Sequence, residues 1–297
     1  AKYEFNTPQA LLKPNAVCVF DSEAANVPST EKDRMNVITN HQIIAWGYTI
    51  LDNTGESVKT VEQVGGEKLA ENALCSMLEN YNIFMEEHEK KLCLKPHLTD
   101  DDQNVYNKQK SCGSCKRVYD GKRVIKVRHH DHSKNPTFGD NNEILTGNFI
   151  TSLCSLCNIK IKDRQSALTV IIHNTKYDMS FLIKAMGSDV FETPTILPKT
   201  VGSNIFSLDL KFKRGIIPRT KDPSVNNYGL RFIDSSNFMA SSLDKLAKTL
   251  YNDGHKFLNL EKELIKRGYS SDLVEISKSK GIFPYEYIKS IDVLNET

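Results

Sequence analysis

The sequence predicts an α/β fold: a mixed sheet with helices, interrupted by a small metal-binding insert. Two observations carry this. Ala16-Val17-Cys18-Val19-Phe20 and Leu168-Thr169-Val170-Ile171-Ile172 are apolar, β-branched runs of strand length, each followed by carboxylates. Between them lie two Cys-x-x-Cys pairs, Cys112/Cys115 and Cys154/Cys157, in a polar, basic stretch.

Residues 1–15 read as an irregular lead-in, and residues 16–21 as the first strand. Residues 41–51 and 58–64 are the second and third strands, and Gly65-Gly66 breaks the third. Residues 67–92 have helical spacing, with Leu69, Leu74, Met77, Leu78, Tyr81 and Phe84 on one side. Residues 95–104 read as a polar linker. The apolar pattern resumes with a strand at 168–173, and a helix starts near Asp178. Residues 194–213 alternate like a ribbon, and residues 228–234 form a strand. Ser241-Ser242 can cap a helix over 243–250. The expected division is 1–95 for the first part of the α/β domain, 96–165 for the insert and 166–297 for the second part. Three strands and then a long helix is the start of a ribonuclease H-like sheet.

At 297 residues the chain can bury a real core. No run of about 18 apolar residues exists, so no membrane span is expected. Ala1-Lys2-Tyr3-Glu4-Phe5 does not read as a signal peptide. Of seven cysteines, Cys18, Cys75 and Cys93 sit alone in apolar contexts. Paired knuckles beside free thiols point to metal binding in a reducing, intracellular compartment, not to a secreted disulfide framework.

Two Cys-x-x-Cys knuckles 38 residues apart can close a tetrahedral zinc site through Cys112, Cys115, Cys154 and Cys157. A small polar insert has little else to fold around. From Lys108 to Lys134 there are nine lysines and arginines, opposed by Asp120 and Asp131. Within that run Lys122, Arg123, Lys126 and Arg128 are candidate DNA contacts; a solvated loop is the plain alternative. Asp21, Glu23 and Asp178 are candidate ligands for Mg²⁺ or Mn²⁺. Carboxylates converging from two strand ends can hold two divalent ions about 4 Å apart for in-line attack on a phosphodiester. The plain readings are a solvated strand end and a helix N-terminal acid.

Asp21-Ser22-Glu23 after one strand, and Asn174-Thr175-Lys176-Tyr177-Asp178 after another, resemble the first two exonuclease motifs of family B DNA polymerases, the second being closest to the protein-primed members. Between the knuckles, Val127-Arg128-His129-His130-Asp131-His132, Thr146-Gly147 and Asn158 resemble phage recombination endonuclease VII, a ββα-metal-like module. An exonuclease domain interrupted by such a module resembles the polymerases of Maverick/Polinton-type elements, large DNA viruses and linear plasmids. Leu230-Arg231-Phe232-Ile233-Asp234-Ser235, Ser242-Leu243-Asp244-Lys245-Leu246 and Lys280-Gly281-Ile282-Phe283-Pro284-Tyr285-Glu286-Tyr287 are similar to further blocks of that family.

The resemblance implies a ribonuclease H-like (DEDD exonuclease) sheet with Asp21, Glu23 and Asp178 as catalytic metal ligands. Asn174 and Tyr177 would hold the single-stranded 3′ end. It implies DNA replication in a host nucleus or cytoplasm, a primer-template as partner, and association with the rest of the polymerase and a terminal protein. The family's third motif, Tyr-x-x-x-Asp, is not matched: Tyr287 to Asp292 has one residue too many. That motif is expected beyond Thr297, so the chain is expected to be an amino-terminal region, weak or inactive alone. In the endonuclease family the residue at His130 is the general base, and Asn158 holds metal. His129 stands where that family has Asp, which leaves His130, His132 and Asn158 as vestigial candidates. Asp234 either approaches the metals or fixes a strand-to-helix turn. Two rival readings remain: a non-catalytic DNA-binding zinc protein, and a structure-selective endonuclease.

Overall fold

A computed structural model describes residues 14–28, 39–90, 95–132, 134–160, 167–188, 191, 195–201, 204–211, 229–254, 256–281, 287, 288 and 293. Along the chain run β1 (Ala16–Pro28), β2 (Thr39–Asp52), β3 (Ser57–Val64) and α1 (Leu69–Lys90). Then come α2 (Asp100–Lys108), β4 (Lys126–His130), β5 (Thr137–Phe138), β6 (Ile144–Thr146), β7 (Phe149–Cys154) and α3 (Ser155–Lys160). The last stretch holds β8 (Ala167–Ile172), α4 (Asp178–Met186), β9 (Thr195–Val201), β10 (Asn204–Lys211) and β11 (Gly229–Asp234), followed by α5 (Leu243–Asn252), α6 (Leu258–Lys266) and α7 (Ser271–Ile276). Two compact units result. The larger takes Pro14–Asn82 and Ser166–Thr297, and the smaller includes Ile83–Gln165. No helix among the described residues is long and apolar enough to cross a membrane.

The larger unit is built on one mixed sheet, in the order β3-β2-β1-β8-β11-β10-β9. β1, β8 and β11 run parallel at its centre, and antiparallel strands complete both flanks. Alternation explains the core. Cys18 and Phe20 on β1, Ile50 and Tyr48 opposite them on β2, Val170 on β8 and Phe232 on β11 share one face and are buried. α1 covers this face. Tyr48 Oη lies 2.7 Å from Ser76 Oγ and accepts from Asn80 Nδ2 at 2.9 Å, while Leu74, Met77 and Leu78 are buried. On the opposite face Asp209 and Arg231 are cross-strand neighbours, paired through two contacts of 2.7 and 2.8 Å. Ser242 caps α5, accepting from Lys245 N at 3.3 Å.

In the smaller unit β4 pairs with β7 and β5 with β6. Residues 95–104, read from sequence as linker, contain the start of α2. Thr99 Oγ1 accepts from Asp102 N, and Asp102 Oδ2 accepts from Thr99 N, a reciprocal cap that starts the helix. Asn148 is buried and fastens the segment before it. Its Oδ1 accepts from His97 N at 2.7 Å, and its Nδ2 donates to Lys95 O at 3.1 Å. Gly147 is needed beside it, because a Cβ there would meet His97 O and Asp102 Oδ2 at 2.6 Å.

Candidate active site and metal centre

β1 does not end at Asp21, as the sequence suggests. It runs to Pro28 because β2 keeps pairing with it as far as Thr39. Asp21 and Glu23 are therefore mid-strand, on one face, with Ser22 on the other. They still lie at an open margin of the sheet. β8 pairs with β1 only at Val17, Cys18 and Val19, and both carboxylates lie past that point. A register shift follows between Glu23 and Ala24.

Asp178 opens α4 at the end of the β8–α4 loop. Asp234, at the end of β11, holds that loop. Its carboxylate accepts from Asn174 N (3.0 Å), Thr175 N (3.1 Å), Thr175 Oγ1 (3.0 Å) and Ser236 N (2.9 Å). Asn174 is thereby kept in the left-handed region at φ 62°. Burial alone would raise the Asp234 carboxyl, but these donors hold it below its ordinary range. Asp234 thus acts on the turn.

Asp178 is buried and accepts the Ser22 hydroxyl proton at 2.5 Å. Burial lifts its carboxyl above the ordinary range, against the pull of Ser22. Asp21 is open to solvent, yet its carboxyl is raised to about 6. Partial desolvation is the first cause, followed by the charges of Asp178 and Glu23. The Asp21 carboxyl therefore senses the other two charges. The three carboxylates do not all come within 4.8 Å; among the described residues only the four paired cysteines form such a group. The oxygen donor set nonetheless suits Mg²⁺ or Mn²⁺, whose charge would relieve the repulsion that raises Asp21.

Tyr177 is 41% exposed, and its hydroxyl lies 2.7 Å from His41 Nδ1. Its ring meets His41 and Phe181 edge-on. Sequence reading missed His41 and Ser22. Nothing local marks His41, whereas Ser22 stands between two singled-out carboxylates. Asp292, Tyr228, Cys93 and residues 282–286 lie outside the described residues.

In the smaller unit the cysteine pairs meet as their spacing predicts. Cys154 ends β7, Cys157 sits on α3, and Cys112 and Cys115 flank a turn. Their sulfurs lie within 4.8 Å of one another. Cys115 and Cys154 are 3.8 Å apart, close to the roughly 3.8 Å edge of a tetrahedron with Zn–S bonds of about 2.3 Å. Cys154 N donates to Cys112 Sγ at 3.2 Å, and Cys157 N to Cys154 Sγ at 3.4 Å. Burial would raise the Cys112 thiol, but backbone donors from Cys154, Cys115 and Ser114 bring it to about 7. Burial pushes Cys157 up to about 12. The set is consistent with structural zinc.

The basic residues divide by role. Lys122 and Arg123 are exposed on a turn that Asp120 holds, its carboxylate accepting both their N–H groups at 2.8 Å. Arg128 is exposed over the Tyr106 ring, 4.6 Å from its centroid. Lys126 is half-buried instead. Its ammonium donates to Tyr106 O and Gln109 O and lies over the Tyr106 and Tyr119 rings, so it closes the end of α2. His129 Nδ1 lies 3.0 Å from Asn158 Oδ1, and the His130 ring meets His132 at a tilt of 36° with ring centroids 4.3 Å apart. No family model, no curated protein and no solved structure matches the chain.

Proposed function

We propose that the larger unit is the 3′–5′ exonuclease region of a protein-primed family B DNA polymerase of the Maverick/Polinton, viral and linear-plasmid type. The ribonuclease H-like reading is supported by the run β1-β2-β3-α1 and by the parallel strands β1, β8 and β11 beside it. What supports the reading is that Asp21 and Glu23 lie where β1 passes the end of β8, that the charges of Asp178 and Glu23 help raise the Asp21 carboxyl, and that Ser22 on the same strand binds Asp178. Ligand chemistry belongs at the carboxyl ends of parallel strands.

In this reading Asp21, Glu23 and Asp178 hold Mg²⁺ or Mn²⁺. A divalent ion bound there would lower the pKa of a water and offset the charge that develops on the phosphate. The water oxygen bonds to phosphorus, the P–O3′ bond breaks, and a 5′-mononucleotide leaves. The departing 3′ oxygen takes a proton from solvent. Ser22 orients the Asp178 carboxylate, and Asp234 fixes the loop that delivers it. Tyr177, steadied by His41, offers its ring to the terminal base, and Asn174 contacts the strand.

The smaller unit is then a zinc-stabilised module that grips primer-template DNA through Lys122, Arg123 and Arg128. His129, which meets Asn158, favours a binding module over an endonuclease, because an imidazole is a poorer Mg²⁺ ligand than the carboxylate the endonuclease family has there. The test is end-labelled single-stranded DNA with Mg²⁺ or Mn²⁺. Slow loss of 3′ label as mononucleotide, blocked by a 3′-terminal phosphorothioate, is expected. Loss from the 5′ end, or cleavage only at branched junctions that disappears in His130→Ala, would replace this reading.

A further inference from the structure

Beside Asn174 and Asp234, a groove between α4 and strands β10 and β11 is lined by residues that the proposed chemistry does not use. It has a volume of about 720 Å³. Met179, Leu208 and Phe232 line it with apolar surface, while Asn174, Asn237 and Lys176 bring polar groups to it. We propose that this groove receives an unstacked base of single-stranded DNA, upstream of the phosphodiester that the carboxylates would cleave. The proposal rests on the exonuclease reading and extends it to a substrate subsite.

Position is the first reason. Asp234 at the end of β11 pairs with Ile172 at the end of β8, and Ser207 near the start of β10 pairs with Ile233. The groove therefore opens at the same edge of the sheet as Asp21, on the face that carries Phe232 and Ser22, the partner of Asp178. Three inter-strand steps separate β1 from β10, roughly 14 Å at about 4.8 Å each. A strand whose 3′ end lies at the carboxylates reaches the groove within a few nucleotides.

Phe206 is the second reason. β9 pairs with Ile205 through Thr200 and with Ser207 through Lys199, so Phe206 is the extra residue of a β-bulge. Bulges re-aim side chains and gather beside active sites. Here the bulge lets Ile205, Phe206 and Ser207 all line the groove. Phe206 is 38% exposed and Phe238 65%, and their rings meet edge-on at 5.5 Å. Phe206 lines the groove, and Phe238, next to the lining residue Asn237, backs it edge-on; an exposed ring pair there is a stacking platform, and stacking accepts any base. A general exonuclease needs that tolerance.

The rim completes the match. Asn237 and the left-handed Asn174 present carboxamides that donate and accept, as base edges require. Lys176 adds a cation for a flanking phosphate. A purely apolar ligand would leave these groups unused, and a base inside a duplex could not enter.

Photo-crosslinking tests this on the whole chain. Single-stranded DNA carrying one 5-iodouracil at successive positions from the 3′ end is irradiated without Mg²⁺ or Mn²⁺, and the linked peptide is sequenced. Crosslinks to Phe206 or Phe238 from one or two adjacent positions are expected. The Phe206→Ala, Phe238→Ala double variant should bind the oligonucleotide about tenfold more weakly, since stacking contributes ~1–3 kcal/mol per base. Its affinity for an abasic strand of equal length should not change, and Phe206→Tyr should bind normally. Binding with crosslinks elsewhere, and no effect of the double variant, overturns the groove but leaves the exonuclease reading intact. Crosslinks in the groove without saturable Mn²⁺ binding that Asp21→Ala, Asp178→Ala abolishes keep the groove as a binding site and overturn the exonuclease reading. Failure of the wild-type chain to bind single-stranded DNA overturns both.

Discussion

Removing zinc from the smaller unit should unfold it while the larger sheet stands. The cluster around the cysteines buries only Cys112, Leu153 and Cys154, with Tyr119, Val124 and Val127 packed partly against it. Two of those three buried residues are candidate ligands. The remaining one, Leu153, contributes about 2 kcal/mol by burial, and the Thr99 cap of α2 about 1 kcal/mol. Binding of a structural zinc ion contributes ~10–16 kcal/mol in small modules. That is comparable to the roughly 5–15 kcal/mol of net stability usual for a whole domain. Chelation, or Cys154→Ser, therefore removes more than the unit's packing can replace. Metal analysis should find one zinc per chain. Hydrogen exchange should show amides of β4 and β7 losing protection on chelation, while those of β8 and β11 keep it. Metal binding should weaken as pH falls, because protons compete for the thiolates, and burial makes Cys157 hold its proton firmly. Retained protection of β4 and β7 after complete zinc removal would refute the reasoning.

Three further outcomes follow from the geometry. Ser22→Ala removes a hydrogen bond to a buried carboxylate and should destabilise the larger unit by about 2 kcal/mol at pH 8. The folded Asp178 carboxyl already lies above its unfolded value, so stability is lost as pH rises through the folded pKa. The variant raises it further, so urea titrations should show the gap closing toward pH 4; an equal gap at both pH values would contradict this. Arg231→Ala leaves Asp209, whose side chain is 6% exposed, without its partner. The cost should be about 2 kcal/mol, discounted from the fully buried case because Arg231 is partly solvated. Arg231 holds the Asp209 carboxyl below its ordinary range. That stability is present above the unfolded value and lost as pH falls, so wild type and variant should converge in acid below about pH 4. Asn148→Ala orphans His97 N–H and Lys95 O and should cost the smaller unit about 2–3 kcal/mol, read as a lower midpoint for the loss of β4–β7 protection.

The strands of the larger unit were legible because apolar runs alternate toward one buried face, as at Leu168, Val170 and Ile172, whereas the short strands β5, β6 and β7 of the smaller unit were not. The cysteine cluster was legible because its spacing is a metal-ligand spacing. The extent of β1 was not, since only the partner strand β2 decides where pairing stops. The commitment of Asp234 to Asn174 and Thr175 depends on β11 lying beside β8, a contact 60 residues distant in sequence. Lys126 looked like a DNA contact because charge is visible in a sequence, while carbonyls at the end of a helix are not. α2 was hidden by its polar composition, although the Thr99-to-Asp102 spacing announced its cap. His41 carried no local sign at all, because its meaning lies in Tyr177.

The central claim is that Asp21, Glu23 and Asp178 form one divalent-metal site, and electron paramagnetic resonance of added Mn²⁺ tests it directly. Free Mn²⁺ is counted during titration of the zinc-loaded chain and of its Asp21→Ala, Asp178→Ala double variant. The account predicts that the wild-type chain removes Mn²⁺ from solution saturably and that the variant, equally folded and equally zinc-loaded, does not. Identical titrations for the two proteins would contradict it.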